Sequence, residues 1–202
     1  MNDKGSLFVI SGPSGAGKGT VCSAFMDKHP ECMLSVSATT RSPRPGEQDG
    51  VNYFFLTVDE FEEKIANDGF LEHAVFCGNH YGTPKDAVLT AIENGRDVIL
   101  EIEVQGAMQV KSHYPEAVFV FVAPPSMEVL EARLRGRGTE TDEVIAGRLT
   151  RAKEEFKMVD KYNYVLLNDT VENATNRLDA IIRAEKCRME RNYEEVKKEF
   201  ID

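Results

Sequence analysis

The chain has 202 residues, of which 42% are hydrophobic and 29% charged, and its formal net charge at pH 7 is −10. This length and composition predict one soluble globular domain and exclude a disordered or fibrous protein. The acidic balance disfavours nucleic acid and membrane surfaces as partners, and the longest apolar run, residues 117–123, is far shorter than the roughly 20 residues of a membrane span.

Five short apolar runs predict the strands of one sheet. They lie at residues 7–10, 33–36, 98–102, 118–122 and 164–167. Helical patterns separate them, beginning with residues 17–28, which follow a glycine-rich turn. The alternation predicts an α/β fold with a mainly parallel five-stranded sheet covered by helices on both faces.

Several helices have recognisable ends. Thr57 and Glu60 have the spacing of a capping box, and Thr83-Pro84 predicts the start of a helix that ends before Gly95. One apolar stripe begins after Thr141 and consists of Ile145, Leu149, Ala152, Phe156 and Val159. The last predicted helix runs from about residue 171 to 200 and is expected to pack across the core.

Residues 37–81 and 133–151 do not fit the sheet-and-helix framework, and we interpret them as insertions. The four cysteines are scattered, without metal-binding spacing, so reduced thiols are expected. Residues 1–5 lead straight into the first strand without the features of a signal peptide. The chain is therefore predicted to be cytoplasmic.

The glycine-rich turn has the Gly-x4-Gly-Lys spacing of a phosphate-binding loop. Backbone N–H groups in such a loop converge on phosphate oxygens, and the following helix adds its positive N-terminal dipole. A glycine-rich turn with a solvated Lys18 is the alternative, but the flanking strand and helix favour binding of a nucleoside triphosphate. The candidate triphosphate-binding residues are Gly12, Pro13, Ser14, Gly15, Ala16, Gly17, Lys18, Gly19 and Thr20.

One position departs from that motif. Gly19 stands where a serine or threonine normally supplies a hydroxyl for Mg²⁺. Either the neighbouring Thr20 approaches the metal, or Mg²⁺ is held mainly by water and phosphate oxygens. The sequence leaves the metal ligands open.

Residues 37–53 combine Arg41, Arg44 and Tyr53 with several turn-forming residues. Arginine guanidinium groups bind phosphate oxygens bidentately, and a tyrosine hydroxyl is a further donor. The segment is a candidate clamp for a second phosphate group. A solvent-exposed basic loop is the alternative on spacing alone.

This segment closely resembles the guanylate kinase family through its S-x-T-T-R-x-P-R-x-G-E-x-x-G-x-x-Y pattern. The similarity extends over essentially the whole chain. The other matching stretches are the phosphate loop and residues 69–72, 81–84, 101–106, 135–139 and 168–169.

The resemblance implies the P-loop kinase fold in a single domain, residues 1–202. Its core would comprise residues 1–36, 95–125 and 160–202, with a GMP-binding region at 37–94 and a helical lid at 126–159. Arg41, Arg44, Tyr53 and Tyr81 match positions that hold the acceptor phosphate. The positions that surround guanine are matched by Ser37, Glu72, Thr83 and Glu103.

The resemblance also implies roles for three further residues. Arg137 and Arg148 match arginines that close on the ATP phosphates, and Asn168 matches a position near adenine. Arg133 and Arg151 are expected to lie on a solvated helix face. Glu101 and Glu103 replace the family's usual aspartates, which keeps the charge and lengthens the reach towards guanine or metal. An ordinary polar residue at the end of a strand is the alternative for Glu101.

The implied reaction is transfer of the ATP γ-phosphoryl group to GMP, and to dGMP, with Mg²⁺ as cofactor. The expected catalytic residues are Lys18, Arg41, Arg137 and Arg148. An inactive binding module of the same fold is one alternative, although the phosphate loop is intact. A related kinase with another acceptor, such as a different nucleotide or a ribose bisphosphate, is the other.

Overall fold

The described part of the chain alternates between strands and helices. The computed structural model describes residues 4–76, 78–136 and 141–201. Its strands are β1 Leu7–Ser11, β2 Met33–Leu34, β3 Ala38–Thr39, β4 Phe54–Phe55, β5 Phe70–Phe76, β6 Asn79–Pro84, β7 Val98–Glu101, β8 Val118–Ala123 and β9 Tyr164–Leu167. Its α-helices are α1 Lys18–Met26, α2 Val58–Ala66, α3 Lys85–Glu93, α4 Val104–His113, α5 Met127–Arg135, α6 Asp142–Phe156, α7 Val171–Lys186 and α8 Met189–Phe200.

The five predicted strands form one sheet in the order β2-β7-β1-β8-β9, and every neighbouring pair is parallel. Strand β1 lies in the middle, with Leu7 opposite Val98 on one side and Phe8 opposite Val118 on the other. All five residues of β1 are buried, as expected for a parallel strand covered on both faces. The predicted α/β fold is confirmed.

Alternate side chains of β1 enter two separate cores. Phe8 and Ile10 pack with residues of α1 and α7, whereas Leu7 and Val9 pack with residues of α3 and α4. Helices therefore cover both faces of the sheet. The carboxyl ends of β1, β7 and β8 meet at one edge, which is where open α/β sheets bind their ligands.

A second sheet has the order β4-β3-β6-β5 and comes from residues 38–84. Its hydrophobic cluster includes Ala38, Phe61 and Phe70, and the rings of the two phenylalanines stack with centroids 4.3 Å apart. This sheet occupies most of the segment 37–81 that was predicted to be an insertion and extends beyond it to Pro84.

Helices α5 and α6 form a small unit of their own. Leu130 and Leu134 of α5 pack against Ile145 and Ala152 of α6. The apolar stripe predicted from Thr141 onward is confirmed through Phe156, but it is wrong for Val159, which lies beyond the end of α6 and is exposed. The Thr141 hydroxyl caps α6 by accepting the N–H of Val144.

Two predictions about helix ends differ in outcome. The capping box at Thr57 and Glu60 is confirmed, because each side chain accepts the backbone N–H of the other residue. The prediction that Thr83 caps the next helix is wrong, because Thr83 lies within β6 and its hydroxyl donates to Glu72.

The predicted helix over residues 171–200 is wrong as a single element. It consists of α7 and α8, separated at Cys187 and Arg188. Helix α7 packs on the central sheet, whereas α8 has no buried residue. The guanidinium group of Arg191 attaches α8 to the body through the carbonyl of Lys4 at 2.6 Å.

Gly12, the first residue of the glycine-rich loop, has a φ of +144°. A Cβ at this position would lie 2.4 Å from the carbonyl oxygen of Val122. We expect Gly12→Ala to lower the free energy of unfolding by at least about 2 kcal/mol, through strained backbone and displacement of β8. Thermal denaturation measures the loss.

Gly147 of α6 supplies the matched control, because nothing lies within 4 Å of a Cβ built there. Gly147→Ala is expected to raise the free energy of unfolding by about 0.5–1 kcal/mol, as in an ordinary helix interior. A Gly12→Ala protein as stable as the parent chain would refute the proposed close packing.

Candidate nucleotide-binding site

The phosphate loop joins the carboxyl end of β1 to the first residue of α1. Gly15 and Gly17 both have a φ of +91°, which lets the loop fold back over its own backbone. The Lys18 ammonium group donates to the carbonyl of Gly12 at 2.7 Å and to that of Pro13 at 3.3 Å. The predicted strand, loop and helix are therefore present, with the lysine folded across the loop.

Lys18 lies in a mixed environment. Burial lowers the pKa of its ammonium group, and the carboxylates of Glu101, Glu103 and Glu155 oppose that effect. These glutamates come from β7, the start of α4 and the end of α6. Three separate elements therefore direct negative charge towards the loop lysine.

Two side chains fasten the phosphate loop through the carbonyl oxygen of Ala16. The buried Asn168 amide donates to it at 2.8 Å, and Arg133 donates to it at 3.3 Å. Arg133 also donates to the carbonyl of Asn168 at 2.8 Å. The expectation that Arg133 lies on a solvated face is wrong, because its guanidinium group bridges the loop and the segment after β9.

Gly19 lies against the carboxylate of Glu101. A Cβ at Gly19 would be 3.3 Å from Glu101 Oε2 and 3.4 Å from Oε1. Partial desolvation raises the pKa of the Glu101 carboxyl, and Lys18 opposes this. Thr20 is exposed in the first turn of α1. Position 19 therefore has no side-chain hydroxyl, but the Glu101 carboxylate lies directly beside it.

Most of the predicted phosphate clamp converges on Arg41. Its Nη2 donates to both carboxylate oxygens of Glu47, at 2.9 and 3.0 Å, and its Cζ lies 5.4 Å from the centre of the Tyr53 ring. Ion pairing with Glu47 raises the pKa of Arg41, and the Tyr81 hydroxyl contributes a further hydrogen bond. The rings of Tyr53 and Tyr81 are 6.1 Å apart. Arg44 is exposed beside this group, and its backbone N–H donates to Glu47 at 2.7 Å.

Glu72 is a buried carboxylate on β5. Its Oε1 accepts the Thr83 hydroxyl at 2.7 Å, and its Oε2 lies 2.9 Å from where a Cβ of Gly106 would be. Burial raises the pKa of Glu72, while the Thr83 hydrogen bond acts in the opposite direction. Within the described ranges, no basic side chain forms an ion pair with Glu72. Ser37, immediately before β3, is half-buried.

Helix α6 contributes two arginines. Arg148 donates to the Ser14 hydroxyl in the phosphate loop at 2.6 Å. Arg151 binds the carboxylate of Glu103, the residue that precedes α4, and its side chain is also half exposed, as expected. Arg137, the other predicted lid arginine, lies outside the described residues.

The sequence profile of a family described as guanylate kinase matches residues 4–185. This match covers most of the chain and all the residues just described. The chain belongs to the guanylate kinase family. The resemblance found in the sequence is confirmed, and with it the class of nucleoside monophosphate kinases, which are transferases.

Individual members of the guanylate kinase family are similar along almost their whole length. A guanylate kinase of Clostridium acetobutylicum is 58% identical over 191 residues, which cover 95% of this chain and 91% of that protein. One of Caldanaerobacter subterraneus subsp. tengcongensis is 54% identical over 192 residues, covering 95% and 93%. The crystal structure of guanylate kinase from Anaplasma phagocytophilum has a TM-score of 0.77 at 30% identity, and the match covers 99% of this chain and 97% of that one.

Three residues at the site of this guanylate kinase family member had no predicted role. Glu47 lies inside the conspicuous segment 37–53, so a lone glutamate close to Arg41 and Arg44 was an available signal. Arg133 gave no local signal, because its partner Ala16 is distant in sequence, whereas the i,i+4 spacing of Arg151 and Glu155 on one helix was an available signal for Glu155.

None of the helices in the described ranges has the combined length and apolarity that a membrane crossing needs.

Proposed function

We propose that this chain is an ATP:GMP phosphotransferase, which transfers the γ-phosphoryl group of ATP to GMP and to dGMP and produces ADP and GDP or dGDP. The observation that carries the proposal is the buried Glu72 carboxylate, which has a hydroxyl partner and no ion pair among the described residues. A buried charge of this kind is costly unless a ligand supplies hydrogen-bond donors.

Guanine has the donors that Glu72 requires. Its N1–H and 2-amino groups are adjacent, so one carboxylate can accept from both, whereas adenine has an acceptor at N1 and no 2-amino group. A site built around such hydrogen bonds rejects an analogue that leaves them unpaired. Ser37, Thr83 and Glu103 would complete the guanine site.

The acceptor phosphate would bind beside Arg41, with Arg44, Tyr53 and Tyr81 as further donors. Glu47 supports this role because both of its carboxylate oxygens accept from Arg41 Nη2, which fixes the orientation of the guanidinium group. Arginine has five N–H donors in a planar fork, so a group held by a carboxylate on one edge still presents donors on another.

The donor triphosphate would occupy the loop from Gly12 to Thr20, where Lys18 would exchange its two carbonyl contacts for phosphate oxygens. The attacking phosphate oxygen of GMP is already anionic, so alignment and charge neutralisation do most of the catalytic work. Lys18, Arg41, Arg137 and Arg148 would supply that positive charge. Asn168, which holds the loop, would border the adenine side.

Residues 37–94 would then be the GMP-binding region and residues 126–159 the lid, around a core of residues 1–36, 95–125 and 160–202. The separate sheet from residues 38–84 and the separate α5–α6 cluster support this division. Domain and lid closure around both nucleotides is the usual way in which such enzymes exclude water.

The residues beside the phosphate loop fit a Mg²⁺ ion that binds together with ATP. In the described ranges, no group of three or more His, Cys, Asp or Glu side chains is placed to hold a metal alone. Mg²⁺ at kinase sites commonly uses one or two carboxylates together with substrate phosphates. The Glu101 carboxylate beside Gly19 would hold it directly or through water, with Thr20 as a further candidate. Bound Mg²⁺ would neutralise charge on the β- and γ-phosphates.

This metal assignment predicts that Glu101→Gln raises the Mg²⁺ concentration needed for half-maximal activity at least several-fold, because a neutral amide is a weaker ligand for a hard cation. Titration of Mg²⁺ at fixed ATP measures the change. Glu131→Gln is the control, because the partly exposed Glu131 side chain pairs with Arg135 on its own helix. Equal Mg²⁺ requirements for Glu101→Gln and the parent chain would exclude Glu101 from the metal site.

The reaction is tested by supplying the purified chain with Mg-ATP and, separately, GMP, dGMP, AMP, UMP and ribose 1,5-bisphosphate. ADP and the phosphorylated acceptor should form in equal amounts with GMP and dGMP. Turnover of another acceptor in place of GMP would support the related-kinase alternative, and absence of all turnover would support the binding module.

A further inference from the structure

Helix α6 contacts both the donor side and the acceptor side of the site through two arginines. Arg148 donates to Ser14 in the phosphate loop at 2.6 Å, and Arg151 binds Glu103 at the start of α4. Glu103 also lies close enough to Glu72 to raise the pKa of that buried carboxyl. Residues three apart on a helix lie on the same side. One rigid helix therefore contacts the donor loop and the acceptor side together.

Arg151 is itself held in place by its own helix. Its Nε donates to Glu155 Oε1 at 3.1 Å, and the Glu155 side chain is only 12% exposed. The Arg151 guanidinium group thus bridges a carboxylate on α6 and one on α4. Without it the two carboxylates would repel each other, since Glu103 contributes to the raised pKa of Glu155.

We propose that Arg151 is a positioning residue that couples the acceptor site to the donor site. This inference rests on the proposed function, in which guanine binds next to Glu103. Guanine donating to Glu103 would fix the carboxylate that Arg151 binds, and this contact would hold α6 where Arg148 meets the phosphate loop. Binding of GMP would therefore tighten binding of ATP, and the effect must be reciprocal.

The coupling is measured by calorimetric titration of a non-hydrolysable ATP analogue with Mg²⁺, in the absence and presence of saturating GMP. In the parent chain, GMP is expected to lower the Kd of the analogue. Arg151→Ala should reduce that ratio of Kd values by up to about fivefold, the most that a partly exposed ion pair usually contributes. Binding of the analogue without GMP should change little.

Two matched variants separate coupling from folding. Arg151→Lys keeps one charge and should retain part of the coupling, whereas Lys153→Ala, exposed on the same helix, should retain all of it. A parent chain without coupling, or an Arg151→Ala protein with the parent's ratio, would overturn the inference. Failure of the parent chain to bind GMP would instead refute the proposed function.

Discussion

Replacement of Arg148 by alanine is expected to lower kcat by about 10³-fold or more while changing the KM for GMP only slightly. Arginines that contact a transferred phosphoryl group contribute about 10³–10⁵ to the rate in related systems. Arg148 already reaches the phosphate loop at Ser14, so a short movement would bring its guanidinium group to a bound triphosphate. Steady-state kinetics with both substrates varied will measure the two effects separately.

The control for Arg148 is Lys153→Ala, which removes an exposed cation from the same helix. It should leave kcat within about twofold of the parent value, since surface charges far from the reacting groups contribute little. An unchanged kcat in Arg148→Ala would remove this arginine from the mechanism, and an equal loss in both variants would indicate a general defect of α6.

Glu72→Gln is the second large expected effect. It places an amide where guanine needs a carboxylate, so kcat/KM for GMP should fall on the order of 10²–10³-fold, while the KM for ATP stays nearly unchanged. Initial rates with each substrate varied in turn provide the comparison. Equal losses for both substrates would contradict a role in recognising the base.

Glu72→Gln should raise the stability of the free protein, although it lowers activity. Burial raises the pKa of Glu72 in the folded chain, so the ionised side chain destabilises the fold at pH values above that raised pKa and has no such cost below the ordinary glutamate pKa of about 4.3. Glu72→Gln should therefore have the higher Tm at pH 7, and the difference should shrink as the pH falls towards 4. A lower Tm at pH 7 would show that the charge is compensated in the free protein.

The central sheet and the phosphate loop were predictable because their signals are local. Each strand of the central sheet lies in a short, mainly apolar run. The loop motif lies between a strand and a helix that can be recognised within twenty residues. The boundary between α7 and α8 at Cys187 and Arg188 was missed because it has no such local signal. Neither glycine nor proline interrupts the helical pattern there, so the sequence carries none of the usual stop signals.

The contacts that connect the site were not predictable in this way. Arg133 binds Ala16 across 117 positions, and Arg151 binds Glu103 across 48. On a helix with many charged residues, both arginines have the pattern of a solvated face. Thr83 was misassigned because a threonine before proline resembles a helix cap, whereas the pairing of β5 with β6 brings its hydroxyl to Glu72.

The family resemblance supplied what local patterns could not. It selected Glu72, Tyr81 and Glu103 from many similar residues. In the structure each of them has a specific neighbour at the site. Glu72 is buried beside Thr83, Tyr81 adjoins Arg41, and Glu103 meets Arg151. Their roles with bound nucleotide remain predictions for the experiments above.

The most direct test of the central claim is the ratio of kcat/KM for GMP to that for AMP, measured with Mg-ATP and the purified chain. Sites that depend on specific buried hydrogen bonds can discriminate by about 10⁴–10⁵, so a ratio above about 10³ is predicted. A ratio near one, or a preference for AMP, would contradict the assignment of Glu72 and its neighbours as a guanine site.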